Sequence, residues 1–401
     1  MRILALTNLY PNPLQPVRGT FNRQQLRALA ERHDVRVIAP ISWTDEWSLR
    51  RKGAAPLPPD RRVTLDGINV SHPKYWFPPK VLRSRYGHYM RRSVAAAFSN
   101  VLREFRPDLV FSAWAYPDGW AAVELAREAG LPVVVKVHGS DILTLVNTPG
   151  RRRRTAEVLK RADAVIAVSQ DLADKVIQMG AAPNAVTVVY DGIDSKLFCP
   201  GSKEEARSRL QLPREGPIIL FVGNLVPVKG TKVLVDACRQ LLARNVPFRC
   251  YIVGQGPLRD ALQRQITDGG LADRVKLVGA VRHELLPDWF RAADVFVLPS
   301  FSEGVPCVLL EAAGCRTPFV ASRVGGIPEI ADLNVGTMIT PGRAGELAEA
   351  IVGLLGEDSR RRLKEPYRRS HADGARDIEA VCEQVLSKSG KPQGVIAGLA
   401  R

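Results

Sequence analysis

Short apolar runs alternate with amphipathic stretches along most of the chain. Each run is only a few residues long, which is typical of a buried strand. Between the runs, apolar residues recur every three or four positions, as at Leu26, Leu29 and Ala30, which is the pattern of an amphipathic helix. This alternation predicts an α/β protein with parallel sheets. The predicted strands are 3–7, 35–39, 109–112, 133–137, 164–168, 186–189, 217–222, 251–253, 275–279, 295–298 and 318–321; helices are predicted at 94–105, up to Leu241, at 344–355, at 359–365 and over the apolar positions 378–386.

The stretch 295–321 combines this strand–helix–strand pattern with two acidic residues that could bind a ligand. The apolar strand 295–298 runs into a Pro-Ser loop that holds Glu303 and Gly304, and from Pro306 the apolar pattern becomes helical. The next strand follows at 318–321. In parallel sheets, ligands bind where the carboxyl ends of strands meet helix N-termini. The unpaired N–H groups of a helix N-terminus favour an anion such as a phosphate.

The second acidic residue of this stretch is Glu311, eight positions after Glu303. At helical spacing the two carboxylates lie about 12 Å apart along the axis. That distance is comparable to the span from a sugar ring across a diphosphate to a ribose. Either glutamate alone has an ordinary alternative, since Glu311 fits a helix surface and Glu303 a partner of the helix dipole. The spacing, the glycine and the strand–loop–helix setting together favour ligand binding.

The segment SEGVPCVLLEA, from Ser302 to Ala312, resembles the E-x7-E motif of the retaining nucleotide-sugar glycosyltransferases, family 4 of the GT-B fold. The resemblance implies two Rossmann-like domains that face a central cleft. It implies transfer of a sugar from a UDP- or GDP-linked donor to an acceptor hydroxyl, with retention of configuration. Glu303 would hold the donor sugar and Glu311 the ribose, with Gly304 and Val305 also at the donor.

Further motifs of the same family occur in the second half of the chain. A G-N-L sequence followed by K-G resembles the motif whose basic residues bind the donor diphosphate. Lys229 matches it, although Asn224 stands where many members have arginine, so Arg18 is considered as a second base. A lysine beside glycine before a helix can hold phosphate as a point charge, and a solvated loop lysine is the alternative. The remaining residues that the resemblance assigns to donor binding are Gly256, in a G-x-G-P loop, and Ala280 and Val281, where backbone groups meet the base.

Two residues of the first half complete the predicted site. The first βα loop contains Gly19 but no G-x-G-x-x-G, which argues against an NAD enzyme. In the family a glycine of this loop reaches the donor phosphates, and a plain turn is the alternative for Gly19. His138 follows a buried strand and precedes a glycine, and the family has a histidine there that faces the donor sugar. Asp141 either orients His138 or caps the next helix, and we favour capping.

The sequence Tyr190–Phe198 resembles the family's N-G-V-D-x-x-x-F hinge and marks a domain boundary. It predicts an N-terminal, acceptor-side domain over residues 1–195 and a C-terminal domain over 196–374 that binds the nucleotide sugar. In the family a last helix, here about 375–388, returns to the N-terminal domain.

Composition is consistent with a globular cytoplasmic enzyme. The hydrophobic fraction is 45%, and the first apolar run is too short for a signal peptide. No apolar run approaches the roughly 20 residues of a membrane helix. The six cysteines form no C-x-x-C pair, which predicts reduced thiols and no metal site. No cofactor is predicted, and the lack of a D-x-D sequence agrees with the metal-independent chemistry that the resemblance implies.

Positive charge is concentrated between Asp66 and Glu104. The formal net charge is +16, and residues 67–103 hold seven basic side chains, no acidic one and several aromatic ones. Such a surface could meet an anionic substrate or an anionic membrane, at about 1 kcal/mol per basic residue near lipid, or it could be a solvated arginine-rich face. No nucleic-acid-binding motif occurs, so nucleic acid is not expected as a partner.

The predicted partners are therefore a nucleotide-diphosphate sugar donor and a glycan or lipid-linked acceptor of cell-envelope or exopolysaccharide synthesis. A peripheral position on the inner face of the membrane is a further hypothesis. Two alternative functions remain. A GT-B nucleotide-sugar epimerase or hydrolase would consume the donor without an acceptor, and a non-catalytic sugar-nucleotide-binding protein would bind the donor without turnover.

Overall fold

The computed structural model describes residues 1–144, 146, 148–331, 336–355 and 365–389. The chain forms two compact units, one comprising Met1–Tyr190 and the last helix, and the other Asp191–Ser370. Each unit is built on a sheet of parallel or largely parallel strands with helices between them, so the predicted α/β class is confirmed. The division lies a few residues before the boundary predicted at 195.

Before the chain leaves the first unit, its described residues form ten strands and seven α-helices. The strands are β1 Arg2–Leu6, β2 Asp34–Ile38, β3 Ile41–Ser42, β4 Arg62–Leu65, β5 Ile68–Ser71, β6 Lys74–Tyr75, β7 Leu109–Ser112, β8 Val133–Val137, β9 Ala164–Ala167 and β10 Val186–Val188. The helices are α1 Thr20–Ala30, α2 Trp43–Arg51, α3 Tyr86–Phe105, α4 Trp120–Glu128, α5 Ser140–Leu143, α6 Pro149–Arg161 and α7 Gln170–Gln178.

Eight of these strands form one sheet in the order β10-β9-β8-β7-β1-β2-β5-β4, in which only β4 runs antiparallel to its neighbour. Strands β7, β8 and β9 are buried along their whole length, which explains their continuous apolar sequences. The winding reverses between β1 and β7. The loops that follow these two strands therefore lie at a topological switch point, where α/β sheets bind ligands.

The second unit has a six-stranded parallel sheet in the order β13-β12-β11-β14-β15-β16. Its winding reverses between β11 and β14, which gives this sheet a switch point of its own. The strands are β11 Ile218–Val222, β12 Arg249–Val253, β13 Val275–Gly279, β14 Val295–Leu298, β15 Phe319–Ser322 and β16 Gly336–Ile339. The helices are α8 Lys203–Arg209, α9 Thr231–Ala243, α10 Arg259–Asp268, α11 Leu286–Ala292, α12 Cys307–Gly314, α13 Ile327–Ala331 and α14 Ala344–Leu354.

The last helix, α15 His371–Lys388, belongs to the first unit. Its apolar face joins the core that also contains Ile3 and Leu29. At its surface Glu379 accepts hydrogen bonds from Arg32 of the first unit. The residues of α15 in this core are Ala375, Ile378, Val381, Cys382 and Val385.

The basic stretch 67–103 contains strands β5 and β6 and most of α3. Some elements were missed by the sequence analysis. The β4–β5 hairpin and α2 were not predicted. The helix predicted at 359–365 lies, except for its last residue, outside the described residues. Within the described ranges, none of the helices has both the length and the apolar character needed to cross a membrane. All six cysteines are free thiols.

Candidate active site

Three polar side chains meet at the switch point of the second unit. Lys229 lies in the loop after β11, and Ser300 and Glu303 lie in the loop after β14. The Lys229 Nζ atom is 2.6 Å from Oε1 of Glu303, and the Ser300 hydroxyl donates to the same oxygen at 2.7 Å. Glu303 is buried. The structure thus joins two of the predicted catalytic residues, and it adds Ser300, which sequence reasoning missed.

Glycines allow the loops around this cluster to approach closely. Gly230 has φ +66°, and a Cβ there would lie 1.9 Å from the carbonyl oxygen of Pro299. Gly325 has φ +54°, and its Cβ would lie 1.9 Å from the carbonyl oxygen of Glu303. Only glycine fits such positions without moving the backbone. Gly230, the glycine of the K-G motif, and Gly325 therefore shape the loops that carry Lys229 and Glu303.

Glu311 lies on α12 and is also buried. Its Oε1 atom is 2.7 Å from Nε2 of His283, a residue of the loop after β13. No described residue forms a hydrogen bond with its buried Oε2 atom. Burial lowers the pKa of His283, but the hydrogen bond and the charge of Glu311 together outweigh it, so the pKa is raised. The sequence analysis did not identify His283 as a site residue. Its position shortly after a predicted strand, close in sequence to Ala280 and Val281, was the signal that could have indicated it.

The other predicted donor residues of this unit also lie beyond the carboxyl ends of strands. Asn224 follows β11 and is exposed, Gly256 follows β12, and Ala280 and Val281 follow β13. A Cβ at Gly256 would lie 2.5 Å from a backbone carbonyl oxygen, so this glycine permits close packing of two loops. Gly304 and Val305 are buried between Glu303 and the start of α12. The second unit thus places all of these positions at one edge of its sheet.

In the first unit, His138 lies directly after β8. Its ring is 4.8 Å from the ring of Phe21 and 6.2 Å from that of Trp114, measured between centroids. Asp141 is part of α5 and does not cap it, so the favoured interpretation was wrong. Its Oδ1 atom accepts hydrogen bonds from the backbone N–H groups of His138 and Gly139, at 3.1 and 3.0 Å. The Asp141 carboxylate thus satisfies the backbone N–H groups of the turn that follows β8. Burial of this carboxyl group raises the pKa of Asp141 to about 6.

Gly19 precedes α1 with φ +60°, and a Cβ there would lie 2.2 Å from the carbonyl oxygen of Leu9. A tight backbone approach therefore accounts for this glycine. The neighbouring Arg18 donates to the Asn8 carbonyl oxygen at 2.9 Å and pairs with Asp45 at 3.2 Å. The second base proposed for the diphosphate is thus held by groups of the first unit.

Asp118 lies in the loop after β7 and was also missed by the sequence analysis. It is fully buried and accepts a hydrogen bond from the backbone N–H of Asn8, in the loop after β1. The two loops of this switch point are joined by that contact. Burial raises the pKa of Asp118 to about 7. Among the described residues, no group of three or more His, Cys, Asp and Glu side chains has an arrangement that could hold a metal ion.

Two family models match the chain, Glycosyltransferase Family 4 over residues 19–197 and Glycosyl transferases group 1 over residues 216–357. A putative teichuronic acid biosynthesis glycosyltransferase of Bacillus subtilis, TuaC, is 31% identical over 363 residues, which are 88% of this chain and 88% of that protein. D-inositol 3-phosphate glycosyltransferase 1 of Catenulispora acidiphila is 30% identical over 349 residues, 82% of this chain and 82% of that protein.

A solved structure agrees with these matches at the level of the fold. Alr3699/HepE of Anabaena, solved in complex with UDP-glucose, aligns with a TM-score of 0.69 at 22% identity, over 97% of this chain and 99% of that one. Family models thus match both halves of the sequence, and a relative matches it over most of its length. The chain belongs to glycosyltransferase family 4, the group 1 glycosyl transferases, and has the GT-B fold.

Proposed function

We propose that the protein is a retaining glycosyltransferase that moves a sugar from a nucleotide-diphosphate donor to an acceptor hydroxyl. The observation that carries this proposal is the meeting of Lys229 with Glu303 at the switch point of the second unit. A cation that can bind phosphate and a carboxylate that can bind sugar hydroxyls lie side by side there. Both are needed where a sugar joins a diphosphate.

Glu311 supports a nucleotide at the other end of the donor. One of its oxygens is held by His283, and the other is buried without a hydrogen-bond donor among the described residues. A buried acceptor without a donor is costly, and a ribose hydroxyl would satisfy it. We assign Glu303 to the donor sugar, Glu311 to the ribose, Lys229 and the N-terminus of α12 to the diphosphate, and Gly304, Val305, Asn224, Gly256, Ala280 and Val281 to the surrounding donor contacts.

The chemistry follows from the charges that develop in the reaction. As the bond between the anomeric carbon and the phosphate oxygen breaks, positive charge grows on the sugar and negative charge on the diphosphate. Lys229 and the N–H groups at the start of α12 stabilise the leaving diphosphate. The acceptor oxygen attacks from the face that the diphosphate leaves, and its proton passes to a phosphate oxygen. The family resemblance assigns His138 to the donor sugar and Gly19 to its phosphates, and no metal ion takes part in the proposed step.

The substrate classes are part of the proposal. Alr3699/HepE has been solved with UDP-glucose, which supports a UDP-sugar, and a GDP-sugar is the other candidate. The teichuronic acid relative supports a role in synthesis of a cell-envelope or extracellular polysaccharide, with a glycan or lipid-linked acceptor. Such an acceptor is consistent with a cytoplasmic enzyme at the inner face of the membrane.

Thermal unfolding with a panel of UDP- and GDP-sugars and free nucleotides tests the donor assignment. A ligand at 100 times its dissociation constant stabilises a protein by about 2.7 kcal/mol. We expect one nucleotide sugar to raise the unfolding temperature selectively, with and without EDTA, and the shift to shrink in Lys229→Ala. No shift with any of them would contradict the proposal.

Turnover then separates the alternative functions. A transferase releases nucleotide in proportion to the acceptor added. Release or isomerisation of the donor without any acceptor would identify a hydrolase or an epimerase, and binding without turnover across a panel of glycan acceptors would identify a binding protein.

A further inference from the structure

The first unit has a groove whose lining contains none of the residues assigned to the donor. It has a volume of about 440 Å³ and lies between helix α2 and strand β6. This volume is in the range of small-molecule sites. Its lining contains three tryptophans and three cations, namely Trp43, Trp47, Trp76, Arg50, Arg51 and Lys74.

Two of these tryptophans are more than half exposed to solvent. Trp47 and Trp76 are each 56% exposed. Trp76 stacks on Trp43 with ring centroids 5.5 Å apart, and the Trp43 indole N–H donates to the Phe77 carbonyl oxygen at 2.8 Å. Exposed tryptophan is unusual in a soluble domain, and adjacent exposed aromatic rings mark a binding surface.

The cations are held against these rings. The Arg51 guanidinium carbon lies 4.1 Å from the centre of the Trp47 ring, and the Lys74 Nζ atom lies 5.3 Å from that of Trp76. Cation–π contacts at such distances orient the charged groups. The acidic residue of the lining, Glu46, is paired with Arg61 at 3.0 Å and, more loosely, with the half-exposed Arg50 at 3.9 Å. The groove is therefore positively charged as well as aromatic.

We propose that this groove binds an anionic oligosaccharide, as the growing acceptor chain of the transfer reaction. The C–H faces of sugar rings pack on the indoles of Trp47 and Trp76, while carboxylate or phosphate groups of the glycan pair with Arg50, Arg51 and Lys74. This inference rests on the proposed function, because it names the acceptor class of the same enzyme.

Helix α2 also connects the groove to the loops of the first unit's switch point. Asp45, on α2 next to the groove residue Glu46, pairs with Arg18 beside Gly19. Three cations beside the tryptophans favour an anionic ligand, and the vesicle experiment below distinguishes a glycan from a bilayer. The exposed apolar residues Val81 and Leu82 are not among the groove's lining residues.

Calorimetric titration of the full chain with trigalacturonate tests the proposal, and no nucleotide-sugar donor is needed. Maltotriose, an uncharged trisaccharide, is the matched control ligand. We expect trigalacturonate to bind more tightly than maltotriose. The double variant Arg50→Gln/Arg51→Gln should weaken trigalacturonate binding by about tenfold or more, which corresponds to 1.4 kcal/mol. Trp76→Ala should weaken binding of both sugars, and Arg92→Gln, an exposed cation on α3, should leave both unchanged.

Equal affinity for the two sugars, or equal affinity of the double variant and the Arg92→Gln control, would overturn the proposal. A third outcome would also overturn it. If trigalacturonate does not bind, but the protein sediments with phosphatidylglycerol vesicles and this sedimentation depends on Arg50 and Arg51, the groove is a lipid site. The two proposals can fail separately. If a nucleotide sugar still raises the unfolding temperature of the double variant, donor binding is intact, and a failure to bind trigalacturonate counts against the groove alone.

Discussion

Oxygen Oε1 of Glu303 is contacted by both a cation and a hydroxyl, from Lys229 and Ser300. The family motifs led to Lys229 and Glu303 separately. Their contact joins positions 74 residues apart, and it depends on the strand order that brings the loops after β11 and β14 together. Ser300 and His283 have no distinctive local sequence, so only the folded chain reveals that they touch the two glutamates. The roles of these residues in the reaction stay predictions.

Removal of the Lys229 charge is expected to slow the transfer reaction. We predict that Lys229→Ala lowers kcat by about 10²–10³-fold, because it removes a preorganised group that stabilises the leaving diphosphate. Steady-state kinetics with the donor found by thermal shift measures the effect. Lys232→Ala is the matched control, since Lys232 is an exposed lysine on the next helix. Activity of Lys229→Ala within a few-fold of the wild type would refute the assignment.

The ion pair of His283 with Glu311 gives the unfolding free energy a pH dependence. The pKa of His283 is raised in the folded protein above its ordinary value of 6.5. The folded state therefore binds the proton more tightly, so the stabilisation is fully present below pH 6.5 and is lost as the pH rises through the folded pKa.

We predict that His283→Gln, whose amide can still donate to Glu311, is less stable than the wild type below pH 6.5 and that the difference shrinks above it. Urea unfolding of both proteins at pH 5.5 and 8.5 measures this difference. Since glutamine cannot become charged, a difference that is equal at the two pH values would show that the charge of His283 contributes nothing.

At the scale of elements, the buried strands were predictable and the peripheral ones were not. Strands β7, β8 and β14 are covered on both faces and therefore have continuous apolar sequences. The β4–β5 hairpin is partly exposed, and α2 has few apolar residues, so neither produces a clear period. The start of α2 depends instead on a local contact, in which Ser42 Oγ accepts from the Asp45 N–H.

The loop glycines allow a test that separates backbone conformation from close packing. Gly230 and Gly216 both have positive φ, but a Cβ at Gly230 would lie 1.9 Å from a carbonyl oxygen, whereas a Cβ at Gly216 would have no described atom within 4 Å. We predict that Gly216→Ala costs about 1–2 kcal/mol of unfolding free energy, the usual penalty of a left-handed residue, and that Gly230→Ala costs clearly more. Urea midpoints measure both costs, and equal values would show that the close approach is unimportant.

At the scale of the whole molecule, both units follow one plan. In each, the winding of a largely parallel sheet reverses beside its first strand. The loops at that reversal hold Gly19 in the first unit and Lys229 and Glu303 in the second. The alternation of apolar runs with amphipathic stretches was sufficient to predict the α/β fold class. It could not give the strand order, because order depends on contacts between elements that are far apart in the sequence.

The last helix completes the apolar core of the first unit. Ile378 on α15 is fully buried in the core formed with Ile3 and Leu29. We predict that Ile378→Ala lowers the unfolding free energy by about 2–5 kcal/mol, because it leaves a cavity that the surrounding side chains fill only in part. The control Val352→Ala, at a position 42% exposed on α14, should change it by less than about 0.5 kcal/mol. Urea unfolding compares the two variants, and equal small effects would mean that the first unit is stable without the packing of α15.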